Sequence, residues 1–128
     1  MTTASIIAAV LLGVVSVFQI ALALGLPAGR AAWGGRHEGK LPPGLRVASG
    51  IAGVFLYPII ILLVLTAGGA IDARDPIPKL GATGMWILTG LFTVGTIANL
   101  ASRSKPERWW GLVSATIAIC CGIVAGSL

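Results

Sequence analysis

The residues with chemistry to offer fall into two groups. The first is uncharged and sits inside apolar sequence. Thr89, Thr93, Thr96 and Asn99 follow spacings of four, three and three, which at about 100° per residue keeps them on one face of a helix. Ser5, Ala9, Gly13, Ser16, Gln19 and Ala23 form a similar stripe of small or polar side chains near the N-terminus. Polar groups in an apolar segment must find partners or face a cavity. The pattern therefore suggests a polar intramembrane face carried by Gln19, Thr93, Thr96 and Asn99, used either for helix packing or as a path between the first and third helices.

The second group lies in polar sequence. His37 and Glu38 are adjacent, and Glu107 is the other acid of this group. A histidine beside a carboxylate is suited to proton transfer at a lipid headgroup, although a solvated loop position is the commoner role. Gly34 to Lys40 spells G-x-x-x-x-G-K, the opening of a phosphate-binding loop. Leu41 then stands where Ser or Thr would hold Mg²⁺, no strand precedes the run, and Pro42-Pro43 argues against a helix aimed at phosphate. Cys120 and Cys121 are neighbours, pointing about 100° apart on a helix and poorly placed for a mutual disulfide. They are read as packing residues. With one histidine far from both cysteines, the pattern implies no metal site and no cofactor.

These residues must be positioned by membrane helices. The chain has 128 residues, 56% hydrophobic and 10% charged, with a mean hydropathy of +0.97. Soluble domains carry about 25% charged residues, so this composition describes an integral membrane protein. Four stretches lack Asp, Glu, Lys, Arg and His, and helices are expected at about 5–26, 47–70, 80–101 and 109–127. Each suits a crossing of about 20 residues. Runs such as Ile59 to Leu65 are apolar on both parities, which excludes a membrane β-barrel. The first stretch lacks a basic leader and is read as a span rather than a cleaved signal. The expected fold is an all-α, integral membrane four-helix bundle forming a single domain.

Charge sets the expected orientation. Loop 27–46 carries Arg30, Arg36, Lys40 and Arg46, and loop 102–108 carries Arg103, Lys105 and Arg108; Arg74 and Lys79 lie on the opposite side. Positive loops stay cytoplasmic, so both termini are expected outside, in a bacterial plasma membrane. The net charge of +5 is thus an orientation signal, and no nucleic-acid partner is implied. Arg30, Trp33, Arg36, His37, Glu38, Arg46, Arg103, Glu107 and Arg108 are expected at the cytoplasmic surface, where the basic ones attract anionic headgroups. Trp86, Trp109 and Trp110 are expected as interfacial anchors. Tyr57-Pro58 predicts a kink that frees the Val54 carbonyl, and Gly122-x-x-x-Gly126 offers a close approach to a neighbouring helix or a second copy.

The segments WGGRHEGKLPPGLRVASG and NLASRSKPERWWG resemble those of small four-helix membrane proteins of high-GC actinobacteria, a group without an established activity. That resemblance implies that Asn99, Ser102, Glu107 and Arg108 meet the first loop near Arg30, Trp33 and Arg46. Small multidrug transporters have this length and helix count, but the glutamate they carry in helix one has no counterpart here. The leading expectation is a non-enzymatic scaffold or accessory subunit, or a protein assembling with itself. The alternative is a small oligomeric transporter or channel using the polar face, and a lipid-headgroup enzyme is the weakest.

Overall fold

A computed structural model describes residues 1–73 and 77–128; Arg74 and Asp75 of the expected outer loop lie outside them. The protein is all-α, with no strand among the described residues. Helix α1 spans Thr2–Ala23, α2 Pro43–Ile51, α3 Tyr57–Ala67, α4 Ala82–Leu100 and α5 Lys105–Gly126. A π-helical turn at Ala52–Leu56 joins α2 to α3, giving one span, Pro43–Ala67. All four spans are long and apolar enough to cross a membrane.

The helix ends differ from the hydropathy boundaries because capping decides them. At the end of α1, Gly25 takes φ +104, its N–H bonds Leu22 O at 3.1 Å, and the Leu26 N–H bonds Ala21 O at 3.0 Å. That is a Schellman motif, which a left-handed glycine permits. Gly69, at φ +76, ends α3 in the same way, with Ala70 N–H on Leu65 O. Both helices stop about a turn before the apolar stretch does. Conversely, α2 begins at Pro43, so Pro42-Pro43 starts a helix instead of preventing one. Proline suits the first helical position, where its missing N–H would have no partner. Helix α5 likewise begins at Lys105 beside Pro106, within the expected 102–108 loop.

The π turn stands just before Pro58, where the missing N–H breaks the regular ladder. The carbonyl that gains a side-chain donor is Gly53's, which accepts from the buried Ser16 hydroxyl of α1, one residue before the predicted Val54. Helix α1 occupies the middle of the molecule, packed on α2 and α3 along one side and on α5 along another, while α4 packs chiefly on α5. The order across the bundle is therefore second span, α1, α5, α4.

Small residues set the seams, as expected where lipid removes the hydrophobic drive for helix association. A Cβ on Gly53 would lie 2.7 Å from Ile20 Cγ1 and 2.8 Å from Ser16 O, and one on Gly68 would collide with Ser5 Cβ. Between α4 and α5 the tight glycine is Gly111, whose Cβ would lie 2.7 Å from Leu100 Cδ2. Gly122 makes only ordinary contact with Thr89 and Trp86, and Gly126 has open space beside it. The Gly122-x-x-x-Gly126 pattern does not produce a close approach among the described residues.

The core fills the half of the molecule that carries the termini. Ala4, Ala8 and Leu12 of α1 pack with Val64 and Ala67 of α3, Met85 and Leu88 of α4, and Ile117, Cys120, Cys121 and Val124 of α5. Both cysteines are free thiols within it. At the opposite, basic end a smaller cluster of Leu22, Ala32 and Leu41 folds the first loop onto the ends of α1 and α2.

Candidate functional site

Where the core stops, the second span and α4 separate. The gap is a crevice of about 390 Å³, floored by Val15, Phe18 and Gln19 of α1 and by Trp110, Ser114 and Ile117 of α5. Ala52, Leu56 and Tyr57 form one wall, and Leu91, Phe92, Gly95 and Asn99 form the other. Ala31, Ala32 and Trp33 of the first loop roof it at the basic end. No charged side chain among the described residues lines it. Five of the chain's eight aromatic residues do, a density typical of pockets that hold apolar ligands with a few polar groups for orientation.

Its polar groups are unequally satisfied. Ser114 donates to Phe92 O at 3.0 Å, and Trp33 Nε1 donates to Ser49 Oγ at 2.8 Å. Gln19 Oε1 is buried and has no hydrogen-bond partner among the described residues, a deficit of about 1–3 kcal/mol. Asn99 and Tyr57 face the same space. Phe18 and Trp110 stack with centroids 4.8 Å apart, so Trp110 belongs to the crevice. The exposed Trp86 and Trp109 are free to act as anchors.

The predicted polar face therefore divides. Gln19 and Asn99 meet at the crevice, whereas Thr93 and Thr96 are absent from its lining. Thr89, Thr93 and Thr96 each donate to the carbonyl four residues earlier, at 2.9, 2.7 and 2.7 Å. A threonine in a helix can satisfy itself in this way, so a helical stripe of threonines needs no partner. Helix α5 packs on both α1 and α4, and the crevice is where residues of α1 and α4 line one space.

The roof is a compact loop. Gly29 N–H bonds Gly39 O at 2.8 Å, and a Cβ on Gly29 would lie 2.6 Å from the His37 carbonyl. Trp33, Gly34 and Gly35 all have positive φ, a conformation that costs a bulky residue about 1 kcal/mol or more. Trp33 tolerates it while bonded to Ser49 at the crevice mouth. Ser104 ties the roof to α5 by donating to Arg30 O, so the first loop and the start of α5 do meet. Arg46 Nε donates to Ala23 O at 3.1 Å, and Lys40 lies over Gly25. Both cations complement the carboxyl end of α1, a structural use for the lysine of the G-x-x-x-x-G-K run.

The remaining candidates stay apart. Glu38 pairs with Arg30 at 3.3 Å, with both side chains largely exposed, and such pairs contribute little. Arg36, Arg103 and Arg108 are exposed, while His37 is half-buried. Glu107 is 6% exposed and its Oε2 has no partner among the described residues. Ser104 and Glu107 have capping-box spacing, but Ser104 Oγ is engaged by Arg30 O and its N–H by Ser102 Oγ. No hydrogen bond or ion pair among the described residues joins His37, Glu38 and Glu107, and no three potential metal ligands cluster there. Comparison with protein-family models, with curated proteins and with solved structures gives no match.

Proposed function

We propose that this multi-pass membrane protein is non-enzymatic and works as a scaffold or accessory subunit, holding another component of the membrane. The observation that carries this reading is the crevice: uncharged, aromatic, roofed at the basic end and backed at the other end by the packed core. Such a site retains a guest within the bilayer and offers no route across it.

The reading places the protein in a bacterial plasma membrane. Seven of the nine Lys and Arg residues belong to the two basic segments, which favours a cytoplasmic position for them and outer termini. Arg36, Arg103 and Arg108 then face anionic headgroups. Ser104, in the second of the two segments that resemble actinobacterial membrane proteins, bonds Arg30, three residues before the first segment begins.

Gentle purification from the native membrane tests the proposal. It expects a membrane-protein partner at fixed stoichiometry. A homo-oligomer that moves a solute in proteoliposomes would favour the second reading, a small transporter or channel, for which the joint exposure of Gln19 and Asn99 to one cavity speaks.

A further inference from the structure

We infer that the crevice is a binding site for a neutral lipid with a free hydroxyl head, of the acylglycerol type, whose chain leaves sideways between the second span and α4. Size argues first. A helix about 10 Å across rising 1.5 Å per residue would fit only about three residues into 390 Å³, so a partner helix can cover the crevice but cannot fill it. At roughly 30 Å³ per water-sized group, the same space takes a lipid head with on the order of ten chain carbons.

Charge argues second. No Lys, Arg, His, Asp or Glu among the described residues lines the crevice, and an ionic head would be desolvated there without a counter-ion, at a cost of several kcal/mol. The basic residues that attract anionic lipids sit outside the lining. Hydrogen bonding argues third. Gln19 Oε1 has no donor among the described residues, and Gln19, Asn99 and Tyr57 all line the crevice with groups that can donate and accept. A hydroxyl can donate to one of these groups and accept from another. The ring faces of Phe18 and Trp110 remain for the chain.

The inference rests on the crevice being a holding site, and its failure is distinct from failure of the accessory role, because it is read from purified protein alone. Two tryptophans, Trp33 and Trp110, line the crevice and two, Trp86 and Trp109, do not. In a Trp86→Phe, Trp109→Phe background reconstituted in bilayers, emission is quenched with dibromostearoyl monoacylglycerol or with dibromostearoyl phosphatidylglycerol. Monoacylglycerol should quench about threefold or more strongly per bromine, the factor expected of one added hydrogen bond. Gln19→Leu should reduce that preference, and so should Asn99→Leu, with Gly126→Leu as the folded control. Equal quenching by the two lipids, stronger quenching by phosphatidylglycerol, or a preference that both variants retain would overturn the assignment.

Discussion

The two halves of this bundle use similar residues differently. Towards the termini, Leu12, Val64, Met85, Leu88, Ile117 and Val124 from all four spans close on one another. Towards the basic loops, side chains just as apolar line an open crevice. The difference lies in the backbone. Gly68 draws α3 onto Ser5 at the closed end, whereas the π turn at Ala52–Leu56 follows α1 through Gly53 and leaves Leu56 and Tyr57 on the crevice wall. Helix α4, held chiefly by α5, does not cross to meet them.

The contrast can be attacked first where backbones touch. Gly53→Leu pushes a side chain into Ser16 O and Ile20 N, and should cost about 3 kcal/mol or more in thermal or denaturant unfolding. Leu12→Ala, in the closed half, should cost about 2–5 kcal/mol through the cavity it leaves. Leu56→Ala, on the crevice wall, should cost less than about 1 kcal/mol, and near-equal losses at the two leucines would contradict the division into halves. Ser16→Ala removes the bond to Gly53 and should cost about 1 kcal/mol. Gly126→Leu, with open space beside it, should change stability by no more than about 0.5 kcal/mol. A large loss there would mean that Gly122 and Gly126 pack a second copy.

Much of the fold was legible in the sequence because charge and hydropathy report where water is. The four charge-free stretches mark the spans, but left-handed Gly25 and Gly69 end two helices inward of the hydropathy edge, within stretches that read as continuous helix. The seams were not legible. Val17, exposed, and Val64, buried, read alike because lipid and protein interior are equally apolar. The threonine stripe of α4 carries little information about neighbours, because its hydroxyls bond their own helix. Gln19 and Asn99 were visible as polar intramembrane residues, but their meeting place depends on α5 lying between α1 and α4. The better signal was aromatic, since Phe18, Phe92 and Trp110 fall in the basic halves of their spans, Tyr57 near the middle of its own, and all converge with Trp33.

The packing order that creates the crevice is most directly tested by disulfide trapping of cysteine pairs, with Cys120 and Cys121 replaced by alanine. Ala23→Cys with Gly50→Cys joins α1 to the second span, where the two Cβ positions are 3.3 Å apart, and Gly95→Cys with Ser114→Cys joins α4 to α5 across a 3.4 Å contact. The first pair lies close to the Cβ separation of a disulfide, the second brings Gly95 against the Ser114 side chain, and both should close under mild oxidation. Ser16→Cys with Thr96→Cys should stay open, because Ser16 faces Gly53 and α5 separates α1 from α4. Rapid closure of that third pair, with either of the first two remaining open, would contradict the order second span, α1, α5, α4 and the crevice with it.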